Sequence, residues 1–380
     1  SELEQAEAKP VAGGARTNAL NRLHDRIAGL RFLDPACGSG NFLTETYLEL
    51  RRIENRILAD LDRDGQLALD LGDDLNPVRV SIGHFHGIEI AEQQALDDTE
   101  STITGLPRLP FTDTAHIMQG NALRLDWNTL LPGGQCDYVM GNPPFIGHVT
   151  KTAGQTDDLK TVWGRQYDGY LDYATGWYRK AASYLSKPDA AFAFVTTNSI
   201  TQGQPVGPLF KPLHADGWHI RFAHRTFAWD AQSTDNVHVI IIGLGRKAKP
   251  APVLFEYADI NGEPTARTVD NINGYLIDAP DLYVGKRSQK TGPVSPLLDV
   301  TDSGSMPLDG GNLLLADQEE YAKAMADPIA ARFVRPFRMG RELINGTDRW
   351  CLWLRDAEPG ELRKSSFLKK HAPNTVAMLQ

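Results

Sequence analysis

Four consecutive residues, Asn142, Pro143, Pro144 and Phe145, carry the groups needed to act on a planar amine. They directly follow an apolar run at 137–140 that is typical of a strand. Because neither proline has an N–H, the strand end presents carbonyl groups without the usual partner. The Asn142 amide oxygen and the Pro143 carbonyl could accept both hydrogens of an amino group and free its lone pair, which is catalysis by preorganised dipoles. Phe145 offers a flat ring for stacking. The alternative is a chance turn, since Asn-Pro often starts one.

A glycine-rich turn after the first predicted strand is a second candidate site. It runs from Asp34 to Gly40 and includes Ala36. At Gly38 and Gly40 the backbone can approach a ligand closely. Alone, such a turn is weak evidence, because plain strand-to-helix loops share it and the third glycine of the dinucleotide fingerprint is missing. Glu89 ends the second predicted strand, where a carboxylate can accept both ribose hydroxyls of an adenosine. The alternative is an ordinary glutamate facing solvent.

Alternating strands and helices must position these residues. Apolar spacing predicts seven strands, at about 30–33, 80–90, 116–118, 137–140, 190–197, 219–223 and 237–242. It predicts helices at about 16–29, 41–59, from 92 onwards, 170–185 and 209–216, with a polar loop at about 147–165. This pattern indicates an α/β, Rossmann-like fold whose mostly parallel seven-stranded sheet has helices on both faces. The last two strands are expected to form an antiparallel hairpin at one edge.

Composition excludes several classes of protein. The 380 residues contain no apolar run of about 18, so no membrane span is expected, and the N-terminus does not resemble a signal peptide. Three distant cysteines argue against a disulfide framework and against zinc, and no metal site is expected. We therefore expect a cytoplasmic protein. The chain does not start with Met, so we expect it to be a piece of a longer protein.

The charge distribution bears on a nucleic-acid partner. A formal net charge of −9 is unusual for a DNA-binding protein. Basic residues are nevertheless concentrated near the C-terminus, at Arg332, Arg335, Arg338, Arg341 and Arg349. This stretch is either a surface that faces phosphates or a plain solvated face, and the sequence leaves both interpretations open.

Four segments together resemble the class I S-adenosylmethionine-dependent methyltransferases that modify exocyclic amines in DNA. Residues 32–43 look like cofactor motif I, 87–90 like motif II, 119–122 like motif III and 137–145 like catalytic motif IV. The order of the motifs is that of the gamma group, whose Asn-Pro-Pro-aromatic members mostly methylate N6 of adenine. N4 of cytosine remains open.

The resemblance implies a role for each matching residue. S-adenosylmethionine would contact Asp34, Ala36, Gly38, Gly40, Asn41, Phe42, Glu89, Ile90, Asn121 and Ala122. Within that set Glu89 would hold the ribose, and Asn121 and Ala122 would lie at the adenine edge. Asn121 departs from the Asp often found at its position. Phe227 would offer a flipped base a second aromatic face opposite Phe145; the alternative is an ordinary core phenylalanine.

Finer features resemble the MmeI-like (type IIL) enzymes, which fuse nuclease, methylase and DNA recognition. These are the segments at 23–28, 49–52 and 333–354. We expect a methyltransferase domain at 1–248, with its core at about 16–248, and a linker with the start of a truncated target recognition region at 249–380. Double-stranded DNA is the implied partner, and the chain would be continuous with nuclease and recognition regions in its parent. Motif X and a nuclease signature are not found in this sequence.

Two other classes of function stay open at this point. Asn-Pro-Pro-aromatic segments also serve enzymes that methylate glutamine in release factors, so an amide or amine on protein or RNA is an alternative substrate. A binding module that keeps the fold without activity is the other alternative. The chemically suited Asn142 and Phe145 favour an enzyme.

Overall fold

A nine-stranded sheet organises the larger of two compact units. The structure is a computed structural model that describes residues 2–10, 14–63, 77–90, 114–229, 237–248, 250–285, 295–297 and 309–371. The first unit spans Ser1–Ser288 and the second Gln289–Gln380. Within the described ranges, no helix is both long and apolar enough to cross a membrane.

The sheet is parallel in its first half and mixed in its second. Its strands are β1 (Phe32–Asp34), β2 (Phe85–Glu89), β3 (His116–Gln119), β4 (Tyr138–Gly141), β5 (Ala191–Thr197), β6 (His219–Trp229), β7 (Val237–Gly245), β8 (Val253–Glu256) and β9 (Thr265–Thr268). Their order is β3-β2-β1-β4-β5-β7-β6-β8-β9. The first five strands in this order, from β3 at the edge to β5, run parallel to one another. Strand β7 is antiparallel to both of its neighbours, β5 and β6.

The α/β class and the seven predicted strands are confirmed, but the strand count and the hairpin's position were wrong. Two further strands, β8 and β9, extend the sheet beyond β6, so the β6–β7 hairpin lies inside it. All four β9 residues are exposed. Because neither face of β9 is buried, its sequence lacks the alternation of apolar and polar residues by which a strand is predicted.

Helices of the first unit flank the sheet. They are α1 (Glu2–Glu7), α2 (Ala15–Gly29), α3 (Asn41–Arg63), α4 (Ala153–Trp163), α5 (Thr175–Tyr184) and α6 (Val206–Ala215). The predicted polar loop at 147–165 was wrong, because α4 occupies most of it. The predicted start of α5 at residue 170 was also wrong, since α5 begins at Thr175. The helix predicted from residue 92 lies outside the described residues.

Two buried clusters lie on opposite faces of the parallel strands. Phe32 packs with residues of α2 and α3, such as Leu20 and Ile57. Its neighbour Leu33 packs with residues of α4 and α5, such as Leu159. Successive strand residues point to opposite faces, so these two clusters mean that helices cover both sides of the sheet, as predicted.

The second unit has its own small core. A three-stranded sheet of order β10-β12-β11 is built from Leu314–Leu315, Trp350–Leu352 and Val334–Pro336. Short helices follow or separate these strands: α7 (Gln318–Ala326), α8 (Gly340–Asn345) and α9 (Pro359–Leu362). Leu315, Phe333, Leu352 and Leu368 form the buried centre.

Candidate active site at the carboxyl ends of the parallel strands

The turn after β1 is tied to the end of β2 by a hydrogen bond from its backbone to the Glu89 side chain. The Gly38 N–H donates to Glu89 Oε2 at 2.8 Å, and the Ile90 N–H donates to Glu89 Oε1 at 2.9 Å. Gly38 and Gly40 have φ values of 51° and 80°, which glycine tolerates best. Two residues predicted to share a ligand, Gly38 and Glu89, therefore lie side by side at the carboxyl edge of the sheet.

Asp34, at the end of β1, is fully buried beneath this turn. Its Oδ1 accepts the Ala36 N–H at 2.9 Å, while Oδ2 has no hydrogen-bond partner among the described residues. Burial raises the pKa of Asp34 to about 7, with the charge of Glu89 adding to the rise. Gly141, on the neighbouring strand β4, lies so close that a Cβ there would collide with Asp34 Oδ1. A side chain at position 141 would therefore disturb the centre of the site.

Asn142 begins the loop after β4 and carries an unsatisfied acceptor. Its Oδ1 is buried and has no hydrogen-bond partner in the described part of the chain. A buried polar atom without a partner costs about 1–3 kcal/mol, so it calls for an explanation. Pro143 is buried, Pro144 is exposed and Phe145 is half-buried. An amide oxygen held away from water, three residues before a half-buried aromatic ring, is suited to accept a hydrogen bond from a planar ligand.

The loop after β3 is held in place by Asn121 and by contacts to residues outside the loop that sequence reasoning missed. Asn121 Oδ1 accepts the Leu123 N–H at 2.9 Å, and Asn121 Nδ2 donates to Asp158 Oδ2 at 2.9 Å. Asp158 lies on α4 and also accepts the Tyr173 hydroxyl at 2.7 Å. A signal for α4 was available: Thr152 and Gln155 form a capping box at its start.

The other predicted cofactor residues take up several kinds of position. Asn41 is exposed and begins α3, and Phe42, next to it, is half-buried. Ile90 is 68% exposed, whereas Ala122 is buried and its carbonyl accepts the Trp127 indole N–H at 2.9 Å. All four stand in the loops or helix starts that follow β1, β2 and β3. Ligands of open α/β sheets bind at this edge.

Phe227 lies on β6, at some distance along the sheet from β4. Its ring stacks on Tyr257, with centroids 5.1 Å apart and an interplanar angle of 19°. His224, on the same strand, hydrogen-bonds the Tyr257 hydroxyl at 2.8 Å. Three strand spacings separate β4 from β6, which is about 14 Å. Phe227 is half-buried, so one part of its ring is accessible.

A polar cleft opens near β6 at the same edge of the sheet. Its volume is about 370 Å³, and its walls include Gln202, Arg225, Thr226 and Leu276. Leu276 has φ of 55°, a strained value for a residue with a side chain. An Arg225–Glu256 ion pair of 3.2 Å lies beside it. The cleft is large enough for a planar ring or a sugar.

In the second unit, three of the five clustered arginines have acidic partners among the residues that the structure describes. Arg332 pairs with Glu361 at 2.6 Å, Arg338 with Asp348 at 2.9 Å and Arg349 with Glu342 at 3.5 Å. All three arginine side chains are at least 38% exposed. Exposed pairs of this kind contribute little stability and can exchange partners.

Comparison with known families and structures explains this combination of motifs. The model of the MmeI DNA-methyltransferase domain matches residues 10–256. The chain belongs to the MmeI family. Within this family the model of the target recognition domain also matches, at residues 278–378.

Two relatives are similar over almost the whole chain. DNA methyltransferase A of Bacillus subtilis (strain 168) is 34% identical, over 92% of this chain and 41% of the relative. The type IIL restriction-modification enzyme MmeI, whose structure was solved in complex with DNA, is 36% identical. That match covers 99% of this chain and 52% of MmeI, with a TM-score of 0.82. The chain thus spans about half the length of the relatives it matches.

Proposed function

We propose that this chain transfers a methyl group from S-adenosylmethionine to the exocyclic N6 of an adenine flipped out of double-stranded DNA. It would do so as the methyltransferase part of a longer restriction-modification enzyme that also contains nuclease and target recognition regions. Membership of the MmeI family supports the reaction class. The single observation that carries the chemistry is the buried, unsatisfied Asn142 Oδ1 at the end of β4.

The turn after β1 has the features that an adenosine cofactor needs. Gly38 and Gly40 both have positive φ, Gly38 is exposed, and the Glu89 carboxylate accepts the Gly38 N–H. Each carboxylate oxygen of Glu89 can accept more than one hydrogen bond, so the observed bonds leave capacity for ribose hydroxyls. When bound, S-adenosylmethionine supplies an electrophilic methyl group on a positively charged sulfur. Asp34 and the backbone of residues 36–42 would orient its methionine part.

Asn142 and Pro143 would act on the target nitrogen. An amine on a purine is a poor nucleophile because its lone pair is delocalised into the ring. The amine would donate one N–H to Asn142 Oδ1 and the other to the Pro143 carbonyl oxygen. As the nitrogen forms its bond to the methyl group it gains positive charge, so both hydrogen bonds strengthen in the transition state. The bond between the methyl group and sulfur would break as the new bond forms, which leaves its electron pair on sulfur and gives neutral S-adenosylhomocysteine. The methylated nitrogen would then release one proton to water, which restores a neutral amine.

Aromatic residues would hold the extruded base in place. The half-buried Phe145 follows Asn142 by three residues and can stack on one face of the base. Phe227 is proposed for the opposite face, and its accessible part lies at the same edge of the sheet as Asn142. The clustered arginines of the second unit, within the proposed linker and start of a truncated target recognition region at 249–380, would contact phosphates.

Transfer of labelled methyl from S-adenosylmethionine to mixed-sequence duplex DNA, followed by nucleoside analysis, tests the proposal. The chain and its parent-length protein should be assayed together, with the Asn142→Ala variant of each as the matched control. N6-methyladenine that disappears with the substitution is the expected result. Label in N4-methylcytosine would correct the target base, and label only in added protein or RNA would overturn the DNA substrate.

A further inference from the structure

Asp158 is a buried carboxylate that gathers three hydrogen-bond donors. Its Oδ1 accepts Arg124 Nε at 2.5 Å, and its Oδ2 accepts Asn121 Nδ2 at 2.9 Å and the Tyr173 hydroxyl at 2.7 Å. Only 3% of Asp158 is exposed. Burial alone would raise the pKa of Asp158, but these hydrogen bonds outweigh it and hold the pKa below its usual value. The carboxylate is therefore charged, and removal of its donors would leave a buried charge unpaired.

The donors come from two separate loops of the site. Asn121 and Arg124 belong to the loop after β3. Tyr173 lies between α4 and α5 and is attached to the loop after β4, because its backbone N–H donates to the carbonyl of Ile146, the residue after Phe145, at 3.0 Å. In the sheet, β3 and β4 flank β2 and β1. Asp158 thus joins the loops on the two sides of the turn that contains Gly38.

The connection continues to that turn through backbone groups. The Gly120 N–H donates to the Glu89 carbonyl at 2.8 Å. The Glu89 side chain in turn accepts the Gly38 N–H at 2.8 Å. Hydrogen bonds of 3.0 Å or less, and short stretches of chain, therefore link Ile146 to Gly38 by way of Tyr173, Asp158, Asn121 and Glu89.

We propose that Asp158 is a positioning residue that couples cofactor binding at the Gly38–Glu89 turn to the geometry of the Asn142–Phe145 segment. This inference rests on the proposed function for the identity of the two ligands. A buried charge with three donors tolerates one arrangement of its neighbours better than any other. A ligand that fixes the turn therefore favours the same arrangement of the base-binding loop. The coupling is reciprocal, so a base bound at the Asn142–Phe145 segment must raise the affinity for the cofactor by the same factor.

The affinity of the chain for S-adenosylhomocysteine, measured by calorimetry without DNA, tests the coupling. Tyr173→Phe removes one donor from Asp158 and keeps the ring that packs edge-on against Trp177. No hydrogen bond is described between Tyr173 and Gly38 or Glu89, so an effect on affinity has to pass through its neighbours. We expect affinity to fall about 5-fold, at the lower end of measured couplings between sites.

Tyr184→Phe is the matched control. It removes another buried tyrosine hydroxyl from the same helix region, one that donates to the Leu131 carbonyl at 2.6 Å. We expect this variant to bind S-adenosylhomocysteine as the wild-type chain does. An equal loss in both variants would mean that the affinity reports general stability, and it would overturn the coupling. Unchanged affinity in Tyr173→Phe would overturn it as well.

A double substitution distinguishes coupling through Asp158 from independent local effects of each substitution. Tyr173→Phe and Arg124→Met each remove one donor of Asp158, and Arg124 is exposed, so its variant should fold. If both act through Asp158, their effects on affinity should not add. Simple addition would show two independent contributions and contradict the proposal. Wild-type chain that binds no S-adenosylhomocysteine would instead overturn the proposed cofactor, which is a distinct result.

Discussion

Two strands of the sheet end in the same dipeptide, and the two asparagines are used in opposite ways. Gly120-Asn121 follows β3, and Gly141-Asn142 spans the end of β4. Both ends of the Asn121 amide are engaged, by the Leu123 N–H and by Asp158. The Asn142 amide oxygen is buried without a hydrogen-bond partner among the described residues.

We propose that the difference separates a structural residue from one that acts on a ligand. An asparagine whose amide oxygen and nitrogen both have partners within the protein holds two elements together. An asparagine with a buried, unsatisfied oxygen costs stability until a donor arrives. Such strain is expected where the fold prepares a site for chemistry. The sequence after each asparagine agrees, since Arg124 stands three residues after Asn121 and Phe145 three residues after Asn142.

Asp34, at the end of β1, also carries a buried oxygen, Oδ2, without a hydrogen-bond partner among the described residues. With a pKa of about 7, the folded protein binds a proton here more tightly than the unfolded chain does. Stability must therefore fall as pH rises from about 4 to about 7, by up to about 4 kcal/mol. Asp34→Asn keeps the acceptor for Ala36 and removes the titration.

Urea unfolding at several pH values measures this effect. The stability of the wild-type chain should decline towards pH 8 relative to that of Asp34→Asn, and the two should differ least near pH 4. Parallel curves across this range would show that the buried carboxylate is not a source of strain in the site.

The glycines that precede the two asparagines, Gly120 and Gly141, are also expected to respond differently to substitution. Gly141→Ala places a Cβ against the buried Asp34 carboxylate, whereas Gly120→Ala places one 2.9 Å from the end of the flexible Leu125 side chain. Both glycines have positive φ, so both variants carry backbone strain. We expect Gly141→Ala to lose about 3 kcal/mol of unfolding free energy, the upper part of the range for overpacking, and Gly120→Ala to lose less. Equal losses in chemical denaturation would contradict the close approach at Asp34.

The smallest expected effect is that of a substitution at Phe145. Phe145→Ala should weaken stacking on an extruded base by about 1–3 kcal/mol. A duplex with 2-aminopurine at the target position reports this directly, because its fluorescence rises when the base leaves the stack. Phe145→Tyr, which keeps a flat ring, should retain the signal. Identical fluorescence for the wild type and Phe145→Ala would remove Phe145 from the proposed site.

Much of the fold could be predicted because apolar spacing reflects burial directly. Strands β1 to β7 each carry buried or half-buried apolar residues, and their positions were predicted. Helix α4 was missed because its surroundings are polar, although Leu159 and Trp163 lie four residues apart on its buried side. Strand β9 was missed because it buries no side chain.

Some contacts of the site could also be predicted from the sequence, and others could not. The Gly38–Glu89 and Asp34–Gly141 contacts join residues that the motifs already singled out. The Asp158 connection could not be predicted, because it depends on where α4 lies over the loops after β3 and β4. No motif marks Asp158 or Tyr173, and 37 residues separate Asn121 from Asp158. The roles of the proposed ligand-binding residues remain predictions until ligands are bound.

We propose that Asn142 acts on the target amine while Asn121 holds the site together. The most direct test measures methyl transfer to DNA and S-adenosylhomocysteine affinity in Asn142→Ala and Asn121→Ala under the same conditions. Asn142→Ala should lose about 100- to 1000-fold in turnover, as when a preorganised polar group is removed, and keep its affinity. Asn121→Ala should lose affinity and much less turnover. The same loss of turnover and affinity in both variants would contradict the claim.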